Sequence, residues 1–262
     1  MNNAQYASPA FQTAGMQNTT ALVTGGTGTI GSAICRALAA NGAQLVAIHH
    51  PGESQQAGEW QQQMAADGFE ARIESCDVAD FDAVSALVQR LEADGVVTDV
   101  LVNAAGITRD APLKRMQVDQ WQAVMRVNLD SVFNTCRNVI EGMLARGYGR
   151  IVNISSVNGQ KGQFGQTNYS AAKAGMHGFT MALAREAASA GVTVNTLSPG
   201  YIDSPMIRAV PEPVRDRIEQ DIPVKRFGTP EDIARAVVFL TAEQAGFITG
   251  SDLSVNGGQH MG

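Results

Sequence analysis

Charge is scarce in this chain: 17% of its 262 residues are Asp, Glu, Lys or Arg, and the first charged side chain is Arg36. The 25 acidic and 19 basic side chains leave a net charge of −6. A nucleic-acid partner needs a basic stripe to neutralise phosphates, so that class is set aside. No apolar run approaches the ~18–20 residues that cross a bilayer, and the N-terminus has neither the basic start nor the apolar stretch of a signal peptide. No membrane partner and a cytoplasmic location are expected. The three cysteines, Cys35, Cys76 and Cys136, form no C-x-x-C pair. They are expected as buried thiols in a reducing compartment, with no metal site. What the chain does have is 44% apolar residues and 27 glycines, the composition of a compact globular protein. Its length fits one large domain with a full core and no need of disulfides.

Residues 1–18 carry Asn, Gln, Ser and Thr without a periodic apolar face, and a flexible tail is expected there. A single domain is expected over 19–262. From Thr20 the pattern runs apolar strand, glycine turn, helix, with Ile34 and Leu38 one turn apart before Asn41-Gly42. Leu45 to Ile48 reads as a second strand, Arg72 to Cys76 as a third and Val100 to Val102 as a fourth. Ile151 to Ile154 and Val192 to Leu197 add two more. Val84, Leu87, Val88 and Leu91 stripe an intervening helix. Short apolar strands alternating with helices specify an α/β fold, doubly wound and Rossmann-type, with a mostly parallel sheet covered by helices on both faces. Thr229-Pro230-Glu231-Asp232 predicts a capped helix start before Ile233, Val237 and Leu240. Residues 199–228, with five prolines, read as an irregular insertion with a short helix, placed as a substrate loop or lid.

In such a fold the turn after the first strand receives a pyrophosphate, because glycines admit the backbone and the next helix offers free N–H groups. Thr24, Gly25, Gly26, Gly28 and Gly31 supply that turn. Asn103-Ala104-Ala105-Gly106 follows the fourth strand at the same edge. Tyr169 and Lys173 stand four apart at a predicted helix start, so one face carries both and the ammonium is expected to lower the phenol's pKa. Ser156, thirteen residues before Tyr169, ends the fifth strand, where its hydroxyl reaches the same place.

TGGTGTIG, NAAG, NISS, Y-x-x-x-K and SPGYI, in this order and spacing over residues 20–257, resemble the short-chain dehydrogenase/reductase family. ITRD at 107–110, NISSVNGQKGQFGQTNYS at 153–170, HGFTMALA at 177–184 and the ending NGGQHMG are similar to one branch of it, the acetoacetyl-CoA reductases of polyhydroxybutyrate synthesis. The resemblance implies an NAD(P)H-dependent reduction of an acyl-CoA substrate, acetoacetyl-CoA to (R)-3-hydroxybutyryl-CoA, in a homotetramer. Ala171, Ala172, Ala174, Gly175 and Gly178 would allow helices of two subunits to approach. It also implies that Tyr169 delivers a proton to the substrate carbonyl oxygen, that Ser156 donates a hydrogen bond to it, that Lys173 tunes the phenol and holds the ribose, and that Asn128 positions a water.

The implied cofactor-binding set is Gly25, Gly28, Thr29, Ile30, Gly31, His49, His50, Asp77, Val78, Asn103, Ala104 and Gly106, with Tyr169 and Lys173, and with Pro199, Gly200 and Ile202 around the carboxamide. The implied substrate set is Asp110, Arg115, Gln163, Phe164, Gln166 and Tyr201. Arg109, Lys114, Lys161, Arg208, Arg215, Arg217, Lys225 and Arg226 border the expected mouth and would attract phosphates of CoA. An acyl-carrier-protein thioester is an alternative substrate, and a non-catalytic dinucleotide sensor an alternative of another class.

Two positions depart from the family's pattern. Thr29 replaces a glycine of the turn, so either its φ is negative or the turn is strained. Ala104 replaces an asparagine. His49 and His50 stand at the end of the second strand, where NAD enzymes place an acid and NADP enzymes a cation. No Lys or Arg occurs between Arg36 and Arg72, while Glu53 could bind ribose hydroxyls and repel a phosphate. NADH is therefore expected to serve at least as well as NADPH, with protonation of His49 or His50 at lower pH favouring NADPH. His177 is expected at a surface or interface, Trp60 and Trp121 as packing residues, and His260 without a partner.

Overall fold

A computed structural model of the chain describes residues 15–261, so most of the expected tail lies outside the described residues. Met16 is already buried in the core, and its N–H donates to Asn41 O at 2.9 Å. The packed chain thus reaches back past the boundary drawn at residue 19.

Among the described residues, seven parallel strands form one sheet: β1 (Thr20–Thr24), β2 (Gln44–His49), β3 (Arg72–Ser75), β4 (Val100–Asn103), β5 (Gly149–Ile154), β6 (Val192–Pro199) and β7 (Asp252–Val255). Their order is β3-β2-β1-β4-β5-β6-β7. The seventh strand, unexpected from the sequence, pairs with β6, placing Val255 beside Pro199. Side chains alternate across the sheet as the period of two demands. Ala21, Val23, Leu45, Ala47, Val100 and Val102 face one core, and Leu22, Val46, Ile48 and Leu101 face the other.

The first core is closed by α1 (Thr29–Ala40), α2 (Ser54–Ala66) and α10 (Pro230–Thr241), through Ile34, Leu38, Met64, Ile233, Val237 and Leu240. The second is closed by α3 (Phe81–Ala93), α5 (Ser131–Arg146) and α7 (Thr167–Ala187), through Leu87, Leu91, Val139, Met143 and Met176. Each fully buried Leu or Ile contributes ~1.5–3 kcal/mol. The start of α10 is the expected capping box: Thr229 Oγ1 accepts from Asp232 N, and Asp232 Oδ2 accepts from Thr229 N at 2.9 Å.

Crossovers run outward in both directions from β1 and β4, so the crevice at their carboxyl ends is where such a sheet receives a ligand. The remaining helices stand at that edge or near it: α4 (Val118–Met125), α6 (Val157–Lys161), α8 (Pro205–Arg208) and α9 (Glu212–Asp221).

Candidate active site

The glycine turn is built for close backbone approach. Gly25 has φ +61°, and Gly28 N–H donates to Gly25 O at 3.0 Å. Gly31 lies in the first turn of α1, where a Cβ would stand 2.1 Å from Gly25 O, so no other residue fits without moving the turn. Thr29 is the first residue of α1. The only non-glycine residues with positive φ among those described are Asn18 and Lys225, so Thr29 is unstrained. Gly28 caps α1 without a side-chain bond, which leaves the first-turn N–H groups, Ile30 included, to an anion.

Thr24 Oγ1 accepts the N–H groups of Ala104 and Ala105, each at 3.1 Å, and holds the loop after β4 against the end of β1. Ala104 therefore serves through its backbone. Asn103 does not offer its side chain to the crevice. Its Nδ2 donates to Asn153 Oδ1 at 2.9 Å and its Oδ1 accepts from Thr135 Oγ1 at 2.7 Å, inside a buried polar ladder continued by Thr180 and Thr196.

His49 is buried at the end of β2, with Nδ1 2.9 Å from His50 O. His50 is exposed, and its Nδ1 accepts from Gly52 N at 3.1 Å, so a proton there would break a cap. The bounding cations are engaged elsewhere: Arg36 with Asp67, and Arg72 with Glu74 and Asp94. Asp77 Oδ1 accepts from Ala79 N, and the buried Val78 gives its carbonyl to Asn134 Nδ2.

The four candidate catalytic residues come from three different pieces of chain. Ser156 is the N-cap of α6, its Oγ accepting from Asn158 N at 3.1 Å, so its own O–H remains free to donate. Tyr169 and Lys173 rise from the first two turns of α7. Lys173 is buried, with Nζ donating to Ile154 O at 2.8 Å and standing 5.6 Å from the centroid of the Tyr169 ring. Asn128 lies in a π-helical turn, Arg126–Asp130, between α4 and α5. Such turns recur at functional sites. Its Nδ2 donates to Ile107 O and Val124 O, both at 2.9 Å, while its buried Oδ1 has no partner among the described residues. A Cβ on Gly106 would stand 2.7 Å from Asn128 Oδ1 and 3.5 Å from Lys173 Nζ, so these two groups share one side of the crevice.

Burial pushes the Lys173 ammonium down to about 7. Burial also raises the Tyr169 phenol, against a lowering by the Ser156 side chain, and Asp110 raises it further. The lowering of the phenol expected from Lys173 is not what the protein alone shows: an ammonium that titrates near neutrality carries only part of its charge there.

The candidate substrate residues fall into two loops tied across the mouth, with Tyr201 apart on the insertion. Gln166 Nε2 donates to Asp110 Oδ2 at 2.8 Å, and Asn158 Nδ2 donates to Gln166 Oε1 at 2.9 Å. Burial raises the pKa of the half-buried Tyr201, and Asp110 raises it further. Gln163 and Arg115 are exposed, and Phe164 is 86% exposed. The insertion is closed at its base by the pairing of Ile202 with Gly228, and no described side chain of α9 is buried. A cavity of about 200 Å³ lies between Gly200–Ile202, Ile222, Val224 and the C-terminal segment. Gln259, missed in the sequence, holds this corner: its Oε1 accepts from Tyr201 N at 2.8 Å, and a Cβ on Gly200 would meet that oxygen at 2.1 Å. The carbonyl of His260 accepts from Asn256 Nδ2, so its backbone has a partner.

Of the border cations, Arg208 pairs with Asp203 and Arg226 with Asp232, while Lys114, Arg115, Lys161 and Arg217 are exposed. Trp60 packs as expected, its Nε1 donating to Ser32 Oγ at 2.7 Å; Trp121 is 39% exposed. On α7, Ala171, Ala174 and Gly178 are exposed, but Ala172 is buried and Gly175 packs against Leu129, so only part of the small-residue set can meet a second copy.

The family model described as enoyl-(acyl carrier protein) reductase matches residues 26–260. An acetoacetyl-CoA reductase of Allochromatium vinosum is 54% identical over 241 residues, 92% of this chain and 98% of that protein. An acetoacetyl-CoA reductase of Cupriavidus necator is 53% identical over 242 residues, again 92% of this chain and 98% of that one. Among solved structures, a provisionally assigned gluconate dehydrogenase from Agrobacterium tumefaciens superposes with a TM-score of 0.90 at 31% identity, covering 94% of this chain and 98% of that one.

Proposed function

The chain belongs to the short-chain dehydrogenase/reductase family and is an oxidoreductase using a nicotinamide dinucleotide, and from that premise we propose that it reduces acetoacetyl-CoA to (R)-3-hydroxybutyryl-CoA for polyhydroxybutyrate synthesis. The observation that carries this reading is the meeting of Ser156, Tyr169, Lys173 and Asn128 at the carboxyl edge of the sheet, across from a glycine cradle that a Cβ would fill. Bound there, a reduced nicotinamide supplies hydride to the carbonyl carbon.

Tyr169, kept protonated at neutral pH by burial, donates its proton to the carbonyl oxygen as negative charge develops there. Ser156 donates the free O–H described above to the same oxygen. Lys173 Nζ is fixed by Ile154 O, which leaves its other N–H groups to hold ribose and to face Asn128. Asn128 spends both N–H groups on carbonyls, so its oxygen is the acceptor that a water returning the proton to Tyr169 requires. The tied loops at Asp110 and Gln166, with Tyr201 on the insertion, would frame a short acyl group. The insertion's unburied helix suits a lid that closes over it.

Engagement of Arg36 and Arg72 by carboxylates supports NADH as at least as good a cofactor as NADPH. The exposed small residues of α7 support a homotetramer, and the buried free thiols a reducing cytoplasm. The test is steady-state kinetics of the purified protein with NADH and NADPH, on acetoacetyl-CoA and on the acyl-carrier-protein thioester, with chiral analysis of the product. Turnover of the CoA thioester to the (R)-alcohol, with NADH at least matching NADPH in kcat/KM, is expected. Reduction of the carrier-protein thioester alone would replace the substrate reading, and an approximately tenfold NADPH preference would overturn the charge argument for the cofactor.

A further inference from the structure

His177, expected at a surface or interface, is partly buried one helical turn after Lys173, against the ends of β5, β6 and β7. Its Nε2 lies 2.9 Å from Ser155 Oγ, 3.5 Å from Ser198 Oγ and 3.7 Å from Asp252 Oδ2. Counting protons fixes the direction of these contacts. Ser155 has one O–H, and it donates to the carbonyl of Lys173 at 2.9 Å. Ser198 has one O–H, and it donates to Asp252 Oδ1 at 2.7 Å. Nε2 must therefore carry the hydrogen that Ser155 Oγ accepts, so the imidazole is a donor aimed at Ser155.

Ser155 stands between Ile154, whose carbonyl accepts Lys173 Nζ, and Ser156, the candidate hydrogen-bond donor. The end of β5 and Lys173 are thus joined twice in opposite directions: Lys173 Nζ to Ile154 O, and Ser155 Oγ to Lys173 O. His177 supports the second link. Asp252 extends the cluster, because its Oδ2 also accepts from Gln160 Nε2 at 2.7 Å, in the helix that Ser156 starts. The dinucleotide cradle at β1 and α1 shares no residue with this cluster.

We propose that His177 is a positioning residue: through Ser155 it fixes the Lys173 carbonyl against the end of β5 and so sets the spacing of Ser156 from Tyr169 and Lys173. The proposal rests on the reductase reading above. A loosened spacing costs rate more than cofactor affinity, since misplacement by about 1 Å can cost roughly 100-fold in the chemical step.

The test compares His177→Leu, which removes the donor, with His177→Gln, whose amide nitrogen can replace it, and with Ser155→Ala and the Ser155→Ala/His177→Leu double variant. Each is assayed for kcat and KM with acetoacetyl-CoA, and for NADH affinity by titration. His177→Leu is expected to lower kcat about 10- to 100-fold with NADH affinity unchanged, and His177→Gln to restore most of the loss. Ser155→Ala is expected to lose as much, with the double variant no worse than either single one, because the two act in series. If His177→Leu folds poorly, Ser155→Ala, which deletes one oxygen, decides alone. Wild-type kcat in either single variant, equal losses in His177→Gln and His177→Leu, or additive losses would overturn the proposal. An inactive wild type would instead remove the reductase reading, so the two failures are distinct.

Discussion

Lys173→Met separates what the site needs from what the fold prefers. Burial lowers the Lys173 pKa from 10.5 in the free side chain to about 7. The folded chain then binds fewer protons at this residue than the unfolded chain between those values, so stability rises with pH across that window and the full penalty stands below about pH 7. At 1.36 kcal/mol per unit, the penalty is roughly 4 kcal/mol at pH 7 and roughly 2.5 kcal/mol at pH 8.5, a change of about 1.5 kcal/mol. Methionine keeps a long unbranched stem without the charge. It also removes the bond from Nζ to Ile154 O, a loss of ~0.5–1.5 kcal/mol that does not depend on pH. Burial raises the thiols of Cys35, Cys76 and Cys136 to about 12, 11 and 12, and their ionisation in the unfolded chain adds a pH dependence of its own. It is common to both proteins and cancels in their difference.

The assay is urea unfolding of wild type and variant at several pH values between about 7 and about 8.5, without cofactor. The variant is expected to be inactive yet more stable at pH 7, with its advantage shrinking by about 1.5 kcal/mol over the window. A variant-minus-wild-type difference that stays constant with pH would refute the reasoning, because no other group distinguishes the two proteins.

Gly31→Ala places a methyl group 2.1 Å from Gly25 O, so the glycine turn must deform and NADH binding should weaken at least about tenfold; an unchanged dissociation constant by fluorescence titration would remove the turn from the pyrophosphate site. The loops carrying Gln163, Phe164, Gln166 and Tyr201 are expected to favour short acyl chains. Competition kinetics with a longer 3-oxoacyl-CoA should therefore show a lower kcat/KM than for acetoacetyl-CoA, and equal values would contradict that role.

The parts legible in the sequence are those set by local pattern. Apolar runs give β1, β4, β5 and β6, and Thr229 with Asp232 marks the start of α10 because the cap is made within four residues. β7 escaped because Asp252 and Ser254 alternate with partly buried Leu253 and Val255, and only its pairing with β6 makes that short polar segment a strand. Asn128 was reachable through the family pattern, but nothing local announces the π-helical turn that aims its side chain at Ile107. The side-chain fate of Asn103 and the donor role of His177 depend on partners 50 and 22 residues away. Met16, an isolated apolar residue, gives no periodic signal, yet its side chain joins the core and its backbone N–H reaches Asn41 O.

The most direct test of the central claim is the rate at which the Tyr169→Phe variant oxidises NADH with acetoacetyl-CoA, measured beside wild type together with NADH affinity. The phenolic hydroxyl, with the proton it donates, is the only group the substitution removes, so kcat is expected to fall roughly 10²–10⁴-fold with NADH binding retained. Wild-type turnover in a folded Tyr169→Phe protein would contradict the account.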